Sequence, residues 1–365
     1  MVFIIALLMC MSLFAISSYC ESCDSLGDEV GFFSPLVHSQ LKYYILGWAA
    51  FFFFACFDYN KLREYAWFLY GFAIVALIGV FFVDPIQRVH RWYRLPIVGF
   101  NFQPSEYAKI ACIIALSWFL EKRAASGQKM STAIGALIIT AIPFVLILRQ
   151  PDLGTSLILF PISYACAYFG NIHPFFLRFF GFLAMTVGLV VFCIFSGLIP
   201  YESAAGAASG FLKEYQYERL NPNTHHQKAA MTAIALGGIS GAGWQNSSYS
   251  QGGFLPTPYT DSIFALFGEE FGFLGLIILL VSFYALIYCC FQVTCVAKDT
   301  FGRLLAAGIS TYIAVHVVVN IAMMSGLIPI IGVPLILMSY GGSSLVTTMC
   351  ALGILQSIYS RRFMF

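Results

Sequence analysis

Ten stretches of this chain are apolar over most of the length needed to cross a bilayer: near residues 2–20, 42–58, 66–83, 104–120, 132–148, 154–169, 178–199, 264–290, 304–325 and 341–358. About 20 such residues span the hydrocarbon core as a helix, and only helices or closed barrels satisfy their own backbone there. The pattern predicts an all-α, polytopic integral membrane protein with about ten transmembrane helices. Linkers are short except near 200–261, so residues 1–365 read as one membrane domain with one long outside loop. Only 10% of the residues are charged, against roughly a quarter in soluble domains. A formal net charge of +2 without a basic tail gives no signal for nucleic acid.

The first twenty residues could pass for a secretory leader, but they lack a basic start and a small-x-small cleavage site, so a retained first helix is expected. Most of the eleven cysteines fall inside apolar runs and read as small hydrophobes. Cys20 and Cys23 form a C-x-x-C pair, open to a redox role but a poor zinc site without further ligands. Basic residues set the orientation. With the N-terminus inside, ten lysines and arginines crowd the short inside loops, and eight are spread over the longer outside loops. Both termini are therefore expected to be cytoplasmic.

One outside segment defies that rule. Residues 84–103 carry Arg88, His90, Arg91 and Arg94 beside Trp92 and Tyr93. They form either an interfacial loop whose arginines snorkel to headgroups or an anion site, since guanidinium forks suit phosphate oxygens. Next, FQPSEYAK (102–109) opens the fourth span. Pro104 suits a first turn, Ser105 a capping bond and Glu106 the positive end of the helix dipole. Lys109 lies one turn from Glu106 on the same face, as a structural clamp or part of a polar cavity. In RQPDLGTS (149–156) Asp152 suits a cap for the sixth span.

Within 200–261, residues 229–244 (AAMTAIALGGISGAGW) suggest a short amphipathic or re-entrant piece, and His225 and His226 read as solvated rather than metal-binding. In FLPTPYTDSIFALFGEEFG (254–272), Asp261 follows two prolines at the rim of the eighth span. It is either an N-cap or a functional acid, because a carboxylate there is costly unless it meets water, a partner or substrate. Glu269 and Glu270 are adjacent within the apolar run, so at least one must meet another helix or a cap. GLIPIIGVPLILMSYGGSS (326–344) is too broken by proline and glycine for one helix. It reads as a re-entrant segment before the last span, ending at a Gly341–Gly342 hinge.

These four motifs, FQPSE, QPDLGT, the Asp261 stretch and the SYGGSS stretch, resemble in order and spacing the SEDS family (shape, elongation, division and sporulation) from about residue 88 to the C-terminus. QPDLGTS and the compact chain look nearer to its elongation-type than to its division-type members. The resemblance implies a peptidoglycan glycosyltransferase that joins lipid II disaccharide-pentapeptides into glycan strands and releases undecaprenyl pyrophosphate. It implies Asp261 as the catalytic carboxylate, acting as a base or holding a divalent cation (Mg or Mn), with no organic cofactor. Arg91, Lys109 and Arg219 match basic family positions expected at the pyrophosphate, and Glu106 would tune the site. Gln103, Ser105, Asp152, Ser339, Gly341 and Gly342 complete the implied substrate-binding set. A class B penicillin-binding protein is the implied partner, and the bacterial inner membrane the location, with the active site on the periplasmic side. The chain departs from the family pattern at Gly253, where many members carry glutamate, at Ala229–Ala230 in place of Gln-Ser, and at Tyr259 in place of histidine. Rival functions are a lipid II flippase and a non-catalytic scaffold.

Overall fold

A computed structural model describes residues 1–19, 32–84, 89–95, 100–124, 129–202, 206 and 218–363. Cys20, Cys23 and Arg88 lie outside the described residues. All ten expected spans are helices: α1 (Val2–Ser18), α2 (Pro35–Cys56), α3 (Leu62–Gly79), α4 (Pro104–Arg123), α5 (Met130–Arg149), α6 (Leu153–Phe169), α7 (Pro174–Phe195), α9 (Ile263–Val296), α10 (Thr300–Met324) and α11 (Gly342–Ser360). A shorter helix, α8 (His225–Gly237), lies in the long loop. Strands β1 (Tyr93–Leu95) and β2 (Phe100–Phe102) pair antiparallel in the basic segment. Among the described residues, five helical stretches are long and apolar enough to cross a membrane: Tyr59–Phe82, Met130–Arg149, Pro174–Phe195, Ile263–Val296 and Thr300–Met324. The other expected spans are helical too, but α1 and α6 have 17 residues each, and α4 carries charge at both ends.

The chain divides into two compact units. The first comprises Met1–Leu41, Phe180–Ala285 and His316–Tyr340. The second comprises Lys42–Phe179, Leu286–Val315 and Gly341–Phe365.

The second unit is organised on α4. Pro104 occupies its first turn, Glu106 meets the positive end of the dipole, and Lys122 and Arg123 meet the negative end. Residues 108–116 of α4 are buried on every side, as expected of a helix apolar around its circumference. Gln103 occupies the capping position without a side-chain capping bond, and the Ser105 hydroxyl is buried with no hydrogen-bond partner among the described residues, so the capping role expected of Ser105 is not used. Asp152 does cap α6, accepting from the Thr155 amide at 3.2 Å. Arg63 bonds Glu121 (2.9 Å) and Asp299, and Tyr59 donates to the same aspartate. Replacing Arg63 with alanine should cost only about 1 kcal/mol, because all three charged groups are partly exposed and solvent screens them. A thermal unfolding curve of the variant in detergent checks this.

In the first unit, residues 325–340 are non-helical, as the prolines and glycines predicted. Val333 and residues 335–339 are nonetheless buried. Irregular backbone survives there because protein groups satisfy it. Asn320 reaches the Val333 carbonyl, Gln227 the Ile328 carbonyl and Ser12 the Met338 carbonyl, while the Ser339 hydroxyl accepts from the Leu335 amide.

The helix α9 is not one straight rod. Gly272 has φ 62° and ψ −164°, so the helix breaks there. The amides of Ala242 and Gly243 bond the carbonyls of Glu269 and Glu270, and the amides of Phe273 and Leu274 bond the carbonyls of Gly238 and Ile239. The small-residue stretch after α8 therefore closes both helix ends at the break. A loop with side chains could not come so close: a Cβ on Gly241 would lie 2.1 Å from the Glu270 carbonyl oxygen.

Candidate functional site

Asp261 lies in the first unit, half-buried, two residues before α9. Pro256 and Pro258 cannot donate to a helix ladder and hold this approach irregular. The residue directly preceding α9 is Ser262, whose carbonyl accepts from Ala265 and Leu266. The capping position considered for Asp261 therefore belongs to Ser262. Asp261 sits just outside the positive end of the α9 dipole.

Three successive carbonyls are tied to the broken segment and α10. Tyr259 accepts from the Tyr340 amide (2.9 Å), Thr260 from the Ser339 hydroxyl (2.7 Å) and Asp261 from the Asn320 side-chain amide (2.9 Å). Gly332 lies beside the carboxylate: a Cβ there would stand 3.5 Å from Asp261 Oδ2. His226 of α8 reaches the Ser262 hydroxyl at 2.7 Å, and that hydroxyl donates to the Pro256 carbonyl. His226, expected to be solvated, is instead a half-buried buttress of the loop, and burial, together with neighbouring His225, lowers its pKa. Nothing in the local sequence marked the buttressing role of His226 or singled out Asn320, because their partners are distant in the chain.

Glu269 and Glu270 both find partners, in the same loop. Glu269 accepts from the amides of Tyr249 and Ser250 and from the Ser250 hydroxyl, and Glu270 accepts from the Ser247 hydroxyl at 3.1 Å. Glu269→Ala leaves those buried donors unpaired, and a loss on the order of 3 kcal/mol is expected. The midpoint of thermal unfolding in detergent should fall accordingly.

The remaining expected site residues, apart from Ser339 and Arg219, belong to the second unit. Gln103 donates to Asp152 Oδ2 at 3.1 Å, and its amide donates to the Ser343 hydroxyl at 2.9 Å. Arg91 donates to the carbonyls of Gln150 (3.0 Å) and Pro151, so much of its guanidinium braces the α5–α6 turn. Glu106 and Lys109 form an ion pair of 2.8 Å, 3% and 0% exposed, with Tyr312 beside the ammonium. Of the two roles left open for this pair, the sealed geometry fits the clamp. Gly341 precedes α11 and Gly342 begins it. In the first unit Ser339 meets the Asp261 loop directly, and Arg219 lies in the 3-10 turn Glu218–Leu220. Among the described residues no group of three His, Cys, Asp or Glu side chains could hold a metal.

The fold and this arrangement define a polytopic helical membrane protein with a partly exposed carboxylate, Asp261, held on an irregular loop. The family model described as cell cycle protein (FtsW/RodA/SpoVE) matches residues 1–362. The peptidoglycan glycosyltransferase MrdB of Escherichia coli K12 is 35% identical over 81% of this chain and 78% of its own. The probable peptidoglycan glycosyltransferase FtsW of Geobacter metallireducens is 32% identical over 87% of this chain and 83% of its own. Two solved structures share the fold: a chain from a peptidoglycan synthase complex that coordinates polymerization and crosslinking (TM-score 0.80, 24% identity, 100% of this chain and 98% of that one), and the rod shape determining protein RodA of Thermus thermophilus (TM-score 0.69, 22% identity, 100% and 97%). The chain belongs to the FtsW/RodA/SpoVE family of membrane proteins.

Proposed function

We propose that this chain, a peptidoglycan glycosyltransferase like its relatives, polymerises lipid II with Asp261 as the catalytic carboxylate. The observation that carries the reading is the Asp261 loop: a partly exposed acid at a helix entrance whose backbone is held at three consecutive carbonyls. A general base must stand within hydrogen-bond reach of the proton it removes, and such restraint keeps it there. The carboxylate takes the proton from an acceptor sugar hydroxyl. The resulting oxygen attacks the anomeric carbon of the donor, the bond from that carbon to pyrophosphate breaks, and undecaprenyl pyrophosphate leaves.

A Mg or Mn ion at Asp261 would supply charge neutralisation for the leaving pyrophosphate. One carboxylate is a sufficient protein contribution, because such ions take most of their other ligands from phosphate and water. Arg219 is the cation of the same unit proposed for the pyrophosphate. The charge bias of the loops supports cytoplasmic termini and an active site on the periplasmic face of the inner membrane. A class B penicillin-binding protein is the proposed partner, supplying the crosslinking step.

The test is direct. The chain purified with its cognate transpeptidase should convert labelled lipid II into a ladder of glycan strands on a gel. Absence of any ladder from the wild-type complex overturns the reading. Transfer of lipid II across vesicle membranes without polymer would favour the transporter, which the broken segment at 325–341 otherwise resembles.

A further inference from the structure

We propose that Asn320 is a positioning residue for glycosyl transfer, aiming the Asp261 carboxylate through the carbonyl of Asp261 itself; the proposal rests on the catalytic reading of Asp261 given above. Asn320 lies in α10, fully buried. One nitrogen serves two segments: Nδ2 donates to the Asp261 carbonyl at 2.9 Å and to the Val333 carbonyl at 2.7 Å. The acceptor at Asp261 belongs to the same residue as the carboxylate, so the bond restrains the peptide plane from which the side chain departs. The acceptor at Val333 belongs to the residue after Gly332, which lies beside the carboxylate. A single amide thus sets both the carboxylate-bearing backbone and the backbone facing it.

The chemistry requires an amide. Two carbonyls need two N–H groups from one small side chain, and among side chains of this size only asparagine provides them. Leucine has the bulk without a donor. Aspartate has the shape but presents oxygen to oxygen. The opposite atom, Asn320 Oδ1, is buried with no hydrogen-bond partner among the described residues. An unpaired buried acceptor is costly, and here it is tolerated while both donors are kept. The neighbouring bonds from Ser339 and Tyr340 hold Thr260 and Tyr259. Only the Asn320 bond acts on Asp261 among these three.

The experiment measures polymerisation by the full-length chain in complex with its transpeptidase, as a function of lipid II concentration, for Asn320→Leu, Asn320→Asp, Asp261→Ala and Ser250→Ala. Ser250 bonds Glu269, in the same unit and inside α9 rather than in the Asp261 loop, so its variant reports what a purely structural loss does. Displacing a reacting group by about 1 Å costs roughly 10²-fold in rate. The expected result is a fall of that size in kcat for both Asn320 variants, with KM for lipid II changed less than about twofold. Ser250→Ala should lose thermal stability and keep its kcat. Wild-type kcat in folded Asn320 variants, with Asp261→Ala inactive, overturns this proposal alone. Activity in Asp261→Ala overturns the catalytic reading beneath it. A raised KM at constant kcat makes Asn320 a substrate contact and overturns positioning. If neither Asn320 variant accumulates in folded form, its role is structural and the proposal falls.

Discussion

Replacing Asp261 with asparagine is expected to lower glycan polymerisation roughly 10²–10⁴-fold, the usual contribution of a general base. Asparagine keeps the shape of the side chain and leaves the main-chain carbonyl available to Asn320, so the three backbone restraints on residues 259–261 remain. What disappears is the negative charge at the entrance to α9. Unfolding midpoints of wild type and variant should therefore agree closely, and the variant should still bind its transpeptidase. Both roles considered for the carboxylate fail together, since a neutral amide neither accepts the sugar proton nor neutralises a cation. A ladder of wild-type intensity from Asp261→Asn would remove Asp261 from the mechanism.

Gly241→Ala is expected to destabilise the protein by on the order of 4 kcal/mol, through overpacking together with left-handed strain. Gly241 has φ +84°, and its added Cβ would lie 2.1 Å from the Glu270 carbonyl oxygen and 2.6 Å from the carbonyl carbon. The obstructing atoms are backbone, so no rotamer change relieves the contact. Moving the loop away would also break the bonds from Ala242 and Gly243 that close the first half of α9 at its break. The matched control is Gly188→Ala in α7, where nothing stands within 4 Å of the added Cβ; there the midpoint should hold or rise slightly, because alanine is the better helix former. Equal midpoints for the two variants in detergent would show that the tight loop is not needed to support α9.

Hydropathy was enough to place every long helix, because a membrane span must bury its backbone bonds within itself and announces that need residue by residue. The Glu106–Lys109 pair was also legible, since one helical turn separates the partners. The Asp152 cap was legible for the same local reason. The Ser105 cap and the solvated His226 were not borne out. In both cases local chemistry permitted a role that more distant neighbours decided otherwise. The break in α9 was missed as well: an isolated glycine within an apolar run carries no signal of its own, and Gly272 becomes a break only because the carbonyls of Gly238 and Ile239 receive the freed amides.

Asp261 shows the division most clearly. Two prolines, the rim of an apolar run and a chain of family motifs marked it from the sequence, since each of those features is local or ordered along the chain. Its restraint came from Asn320, Ser339 and Tyr340, between 59 and 79 residues away. A lone asparagine in an apolar helix reads as a polar residue seeking some partner; which carbonyl it finds depends on how the broken segment folds back. The sequence by itself determined a bundle of membrane helices, its family and an acid at the entrance to one of them. Only the tertiary structure decided how that acid is held, because backbone carbonyls carry no side-chain identity and their partners are chosen by packing.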